Sequence, residues 1–198
     1  MNYTMRKRMR MDEESIEEEP NDIEVVNNDI YFHSDVSVKT VKELCKQVNI
    51  LEKKMLQTQI ELKLKRPPKI YIYIHSYGGD VFAGLSCMDA LLRCKVPVVT
   101  IVDGFVASAA TLIMLGGHKR WMRENSSILI HQIRGESWGK YFDMKDEMFN
   151  CDQLMKTISE IYIAKSEFPE SKLTTIIKKE IHLNAKKCIK YKFVDKLI

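Results

Sequence analysis

A serine and a histidine lie mid-chain in surroundings that suit nucleophilic catalysis. Residues 104–111 read GFVASAAT, so Ser108 follows a glycine and has small neighbours on both sides. Residues 126–132 read SSILIHQ, and His131 ends this apolar run. A serine hydroxyl becomes a nucleophile when an imidazole accepts its proton, so the pair is a candidate for acyl transfer. Taken alone, the two segments also fit a helix-capping serine and a structural histidine.

A pair of glycines precedes them and adds a second chemical feature. Residues 75–84 read HSYGGDVFAG, which places Gly78 and Gly79 between a predicted strand and a predicted helix. Backbone N–H groups in such a turn can point outward and bind a negative charge. The spacings GxGxxG and GxxxxGK[ST] are absent, so nucleotide binding is not indicated. All eight glycines lie within residues 78–139, and we expect the site there.

Hydrophobic periodicity predicts the elements that position these residues. After a short strand in DIYFHSDV, it predicts in chain order a helix over 38–64, a strand over 69–75, a helix over 81–94, a strand over 96–103, a helix over 107–116, a long helix over 140–166, and a final short helix and strand. Repeated strand–helix crossovers predict an α/β fold with a mostly parallel sheet. Ser108 then starts a helix, where the N–H of Ala109 would meet a developing oxyanion.

The long helix has its own pattern. Its apolar residues recur every three or four positions and form a narrow stripe; they are Met144, Met148, Cys151, Met155, Ile158 and Tyr162. A narrow stripe packs best against another helix. We therefore expect an oligomer.

Composition excludes several classes of protein. The net charge of +4 on 198 residues reflects general lysine richness without a basic stripe, so no nucleic-acid partner is expected. Five widely spaced cysteines suggest free thiols and a cytoplasmic location. No pair of histidines has zinc-ligand spacing, and we expect neither a metal nor an organic cofactor. No apolar run approaches the roughly 18 residues of a membrane helix, so no membrane association is expected.

The first residues differ in character from the rest. Residues 1–25 carry a basic block and then an acidic block, with few apolar side chains. This predicts a disordered charged arm before a single domain over residues 26–198. The arm resembles neither a signal peptide nor a transit peptide. A nuclear or nucleic-acid address in RKRMR is an alternative interpretation.

In their order and spacing, the three motifs resemble the proteolytic subunit family of the Clp protease, a family of serine peptidases. The segments IHSYGGDVFAG, GFVASAAT and ILIHQI are similar to the family's NSPGG, GxAASM and MIHQP patterns. The ending NAKKCIKYKFVDKLI also resembles the family's, so the similarity spans about residues 30–198. It implies the ClpP/crotonase-like α/β fold of repeated β-β-α/βα units. It also implies a protruding handle helix, here within about residues 133–166, that joins two rings.

The resemblance also implies residue roles. Ser108 would be the nucleophile and His131 the base, with the N–H groups of Gly79 and Ala109 forming the oxyanion hole. The family's triad aspartate falls on Glu180, one methylene longer. Asp195 is another acid, at a position that is not catalytic in the family.

In the family, the peptide binds as an added strand between two segments. Here these are Asp80, Val81 and Phe82 on one side and Gln132, Ile133 and Arg134 on the other. Ile133 and Tyr77 replace the family's prolines beside this groove. The helix over 38–64 is longer than the family's, and the N-terminus is unlike the family's axial loop.

The implied function is a serine endopeptidase that cuts unfolded proteins or peptides inside stacked heptameric rings, with an AAA+ ATPase unfoldase as a possible partner. It would need no metal or organic cofactor. Two alternatives stay open at this point. One is a catalytically weak or silent ring subunit with a structural or regulatory role. The other is the acyl-CoA-processing branch of the same fold superfamily.

Overall fold

A computed structural model describes residues 23–135 and 138–198 of the chain. It has the predicted α/β architecture with a mostly parallel sheet, so the predicted fold class is confirmed. Most of the predicted arm, residues 1–22, lies outside the described residues. The first described strand begins at Ile23, three residues before the expected start of the domain at residue 26. The strand starts early because Ile23 is buried against the core, although charged residues flank it.

Within residues 23–135 and 138–198, the sheet has eight strands. In chain order they are β1 (Ile23–Val26), β2 (Asp29–Phe32), β3 (Ile70–Ser76), β4 (Val98–Ala107), β5 (Lys119–Met122), β6 (Ser127–Leu129), β7 (His182–Asn184) and β8 (Lys196–Leu197). The spatial order is β1-β2-β3-β4-β5-β8, with β6 beside β4 and β7 beside β6. The β1–β2 and β6–β7 pairs are antiparallel, and all others are parallel.

The described part of the chain has six helices between its strands. They are α1 (Val38–Glu61), α2 (Val81–Arg93), α3 (Ala109–Leu115), α4 (Tyr141–Ala164), α5 (Glu170–Lys179) and α6 (Ala185–Lys190). Local signals explain where the first two begin. Ser37 and Thr40 form a reciprocal capping box at α1, and the Asp80 carboxylate accepts from two backbone N–H groups at α2.

The core follows the predicted alternation in β3. Ile70, Ile72 and Ile74 are fully buried, whereas Tyr71 and Tyr73 on the other face stay partly exposed. The buried residues of α1 and α2 belong to the same hydrophobic cluster as these isoleucines. The described residues contain no helix long and apolar enough to cross a membrane.

Strand β4 changes neighbours part-way along its length, and this matters for the site. Residues 99–102 pair with β5, and residues 105–107 pair with β6. Gly104 lies at the change, with a φ of 92°. A Cβ there would lie 2.7 Å from Nδ1 of His75, so only glycine fits. Beyond Gly104, the end of β4 pairs with β6 instead of β5.

Candidate active site

The predicted site residues follow the ends of three neighbouring parallel strands. The glycine pair follows β3, Ser108 follows β4 and His131 comes two residues after β6. Ala107 pairs with Leu129 across β4 and β6, and Ser108 N–H donates to the Leu129 carbonyl at 2.9 Å. Neighbouring strands lie about 4.8 Å apart. The register thus brings the segments of Ser108 and His131 together at one edge of the sheet, where α/β proteins commonly bind ligands.

Ser108 adopts an unusual backbone conformation, with φ 53° and ψ −129°. Side-chain-bearing residues rarely occupy this region, and such strain is typical of functional sites. The sharp turn between β4 and α3 resembles the strand–nucleophile–helix turns of other hydrolases. Ser108 does not cap α3 through its side chain, and its hydroxyl makes no hydrogen bond within the described part of the chain. The capping alternative is therefore wrong.

The glycine loop packs directly against this serine. A Cβ on Gly78, whose φ is 103°, would lie 2.6 Å from the Cβ of Ser108. On the other side, Val36 N–H donates to the Gly78 carbonyl and Asp80 N–H donates to the Val36 carbonyl. These two bonds fix the loop and leave the N–H of Gly79 between them unused.

Two backbone amides near Ser108 have no hydrogen-bond partner among the described residues. Among the described residues, neither the N–H of Gly79 nor that of Ala109 donates a hydrogen bond. Both residues line the same cavity as Ser108. Unpaired backbone donors are uncommon away from water, and a pair beside a serine hydroxyl can stabilise an oxyanion.

A cavity of about 540 Å³ joins these groups. Every predicted site residue except Glu180 lines it: Gly79, Asp80, Val81, Phe82, Ser108, Ala109, His131, Gln132, Ile133 and Arg134. Tyr77, Leu112 and Gly135 complete this part of the wall. The groove segments predicted on either side of the serine thus face one another across a single space.

Helix α4 supplies a wall that sequence reasoning did not find. Its lining residues recur every three or four positions: Glu147, Cys151, Leu154, Ile158 and Tyr162. Glu147 is exposed, and Ile158 and Tyr162 are buried, so the stripe runs from the mouth to the base of the cavity. The same spacing was visible in the sequence, but nothing there identified what this face contacts.

The His131 ring has a defined tautomer in its present position. Its Nδ1 forms a short hydrogen bond with the carbonyl oxygen of Gln132. A carbonyl only accepts, so in the neutral ring Nδ1 carries the proton and Nε2 is left as an acceptor. Within the described residues, no hydrogen bond joins His131 to Ser108 or to Glu180.

Glu180 lies apart from the cavity wall. It ends α5 with a left-handed φ of 49°, and both carboxylate oxygens accept from the Arg134 guanidinium at 3.2 Å. The other acid that the sequence offered, Asp195, pairs with Arg120 at 3.1 Å. No group of three or more histidine, cysteine or acidic side chains in the described segments is arranged to hold a metal.

Comparison with known proteins identifies the family. The Clp protease family model matches residues 22–198. This chain belongs to the Clp protease family. The predicted resemblance is therefore confirmed, over slightly more of the chain than the motifs alone indicated.

Individual Clp relatives match at moderate identity. The chain is 30% identical over 132 residues to an ATP-dependent Clp protease proteolytic subunit of Deinococcus radiodurans, covering 66% of this chain and 65% of the relative. It is 32% identical to proteolytic subunit 2 of Treponema denticola, covering 74% of each. It is 35% identical to the Streptococcus mutans subunit, covering 65% of this chain and 68% of the relative. The match thus spans about two thirds to three quarters of the relatives' length.

Proposed function

We propose that this chain is a serine endopeptidase of the Clp type. The observation that carries the proposal is a cavity at adjoining strand ends, lined by Ser108, His131 and the two residues with unpaired amides. In the proposed reaction, Ser108 Oγ attacks the peptide carbonyl while Nε2 of His131 accepts its proton. The oxyanion would be stabilised by the N–H groups of Gly79 and Ala109. His131 then protonates the leaving amine, and water repeats the sequence on the acyl-enzyme.

The two groove segments would bind the substrate backbone. A peptide between Asp80–Phe82 and Gln132–Arg134 could pair with both as an added strand, which gives affinity with little dependence on side chains. The cavity-lining residues of α4 offer apolar surface to one substrate side chain. The cavity is deepest towards Ile158 and Tyr162. This arrangement suits unfolded chains or short peptides.

Glu180 is the proposed third member of the triad. Strands β6 and β7 pair antiparallel, with Leu129 opposite His182. If that register continued for two more residues, His131 would lie opposite Glu180; the observed pairing ends at Leu129 and His182, and Glu180 contacts Arg134. A carboxylate there would hold the Nδ1 proton of His131 and stabilise the imidazolium that forms during attack.

We also propose an oligomeric ring, with a Clp ATPase as partner. The relatives' names describe ATP-dependent proteases. The first half of α4 carries exposed apolar side chains that a second subunit could cover; they are Tyr141, Phe142, Met148 and Phe149. The five cysteines are free, which suits the cytoplasm. Heptameric rings stacked through α4 are the specific assembly that we propose.

A fluorophosphonate probe tests the nucleophile. We expect stoichiometric labelling of the wild-type protein and none of Ser108→Ala, with Ser86→Ala on the exposed face of α2 as the matched control. Labelling that persists in Ser108→Ala would remove Ser108 from its role. Turnover of a fluorogenic peptide separates an active peptidase from a silent subunit. The silent-subunit alternative is not favoured, because the serine, the histidine and both free amides are all retained.

A further inference from the structure

Glu180 has one observed partner, Arg134, and one proposed partner, His131. In the structure its carboxylate accepts from Nη2 of Arg134 through both oxygens at 3.2 Å. The β6–β7 register, continued by two residues, offers His131 instead. Strand pairing ends at Leu129 and His182. Residues 130–133 and residue 181, which lead from there to Arg134 and Glu180, have no regular secondary structure.

Both charged side chains are accessible, so their contact is easily exchanged. Arg134 is 75% exposed and Glu180 39% exposed at the side chain. Exposed ion pairs contribute little to stability because water screens them. The contact holds the Glu180 carboxylate in the structure, and substrate could break it at small cost.

We propose that Arg134 is a positioning residue that holds Glu180 away from His131 until a peptide binds. The inference rests on the proposed function and adds a restraint on its third catalytic group. In an extended strand, side chains alternate between the two faces. His131 and Arg134 are three positions apart, so pairing of a peptide with residues 132–134 would place them on opposite faces. Arg134 would then leave Glu180, and Glu180 could accept from Nδ1 of His131 once that nitrogen releases the Gln132 carbonyl.

A four-protein cycle tests this on the full-length chain with a fluorogenic peptide: wild type, Arg134→Gln, Glu180→Gln and the double variant. We expect Arg134→Gln to raise kcat by about 1.5- to 5-fold, the range that loss of an exposed ion pair allows. Glu180→Gln lowers kcat by at least about 10-fold because the imidazolium loses its carboxylate. In the double variant the gain disappears, and kcat equals that of Glu180→Gln.

Two further variants separate positioning from a structural effect. Arg134→Lys keeps the positive charge and is expected to give less than half of the Arg134→Gln gain. Arg123→Gln removes another exposed arginine, which pairs with Asp103 away from this cavity, and leaves kcat unchanged. The fluorophosphonate labelling rate follows the same order, so the comparison does not depend on peptide affinity.

The possible results are distinguishable. A fall in kcat for Arg134→Gln, or an equal gain with and without Glu180, overturns the restraint. Wild-type kcat for Glu180→Gln removes Glu180 from the triad, and the restraint with it. Labelling of Ser108→Ala instead overturns the proposed function itself.

Discussion

The buried hydroxyls of Thr111 and Tyr162 connect the Ser108 carbonyl to α4 through hydrogen bonds. Thr111 Oγ1 donates to the Ser108 carbonyl at 2.6 Å and lies 2.7 Å from the Tyr162 hydroxyl oxygen. Because the Thr111 proton is directed to the carbonyl, Tyr162 is the donor to Thr111. Both residues are buried, at 0% and 2% exposure. Burial raises the pKa of Tyr162 to about 12, which keeps its hydroxyl protonated and donating.

Because Tyr162 donates to Thr111 and Thr111 donates to the Ser108 carbonyl, substitutions at Thr111 and Tyr162 should lower the free energy of unfolding by different amounts. Thr111→Val is nearly isosteric, but it leaves the buried Tyr162 hydroxyl without an acceptor. We expect a loss of about 2–3 kcal/mol in the free energy of unfolding. Tyr162→Phe removes only a donor, and Thr111 keeps its bond to the Ser108 carbonyl. We expect this change to cost about 1 kcal/mol.

The double variant is the decisive case. With Thr111→Val and Tyr162→Phe together, both partners are apolar and no buried hydroxyl is orphaned. We expect it to be more stable than Thr111→Val alone by about 1 kcal/mol. Urea unfolding at one protein concentration measures all three, with Thr111→Ser, which keeps the hydroxyl, as the control. A double variant less stable than Thr111→Val would refute the reasoning that the orphaned Tyr162 hydroxyl causes the loss.

Two other predictions concern alkaline stability and assembly. Burial raises the pKa of the Cys188 thiol to about 12 from 9.0, so the unfolded chain loses this proton first. Between pH 9 and about 12, this thiol should therefore lower the free energy of unfolding by up to about 1.4 kcal/mol per pH unit. Urea unfolding at several pH values measures this slope, and Cys188→Ser should remove the contribution of the thiol to it. Phe149→Glu on α4, where Phe149 is 63% exposed, should shift sedimentation to a smaller assembly, and Asn150→Glu beside it should not. An unchanged slope in the first case, or equal sedimentation of both variants in the second, would contradict these expectations.

Local patterns were sufficient for the larger elements. The helix expected over 81–94 is Val81–Arg93, and the helix expected over 107–116 is Ala109–Leu115. The long helix expected over 140–166 is Tyr141–Ala164. In each case the apolar spacing and the flanking polar or small residues lie within one or two helical turns of one another. The local sequence is therefore sufficient to predict these helices.

Elements that depend on distant partners were missed. The strand expected over 96–103 continues through Gly104 to Ala107, because β6 pairs with the residues after Gly104. The three-residue β7 forms only by pairing with β6. Helix α5 was also not predicted, although the spacing of Leu173, Ile176 and Ile177 after Pro169 was a usable signal.

The stripe on α4 shows the same limit within one helix. Sequence spacing predicted a continuous seam that includes Met144 and Met148, yet both are exposed in the single chain. Only its last two members, Ile158 and Tyr162, are buried. Periodicity reports that a face is apolar. It does not report whether the chain itself, a substrate or a second subunit covers it.

Backbone strain separates the site from ordinary turns. Five described residues other than glycine have positive φ, and three of them are exposed residues in the links between elements: Asn27, Lys63 and Lys192. Ser108 differs, because it lies at a strand end inside the sheet with the glycine loop against its Cβ. Glu180 keeps a carboxylate at a helix end where glycine or asparagine would relieve the strain. Such conformations cost about 1–3 kcal/mol each. Lys63 and Lys192 adopt the same left-handed conformation as Glu180 after other helices, so that conformation does not mark Glu180 as functional. Stability alone favours glycine at position 108, and the serine there is better explained by the chemistry proposed for it than by the fold.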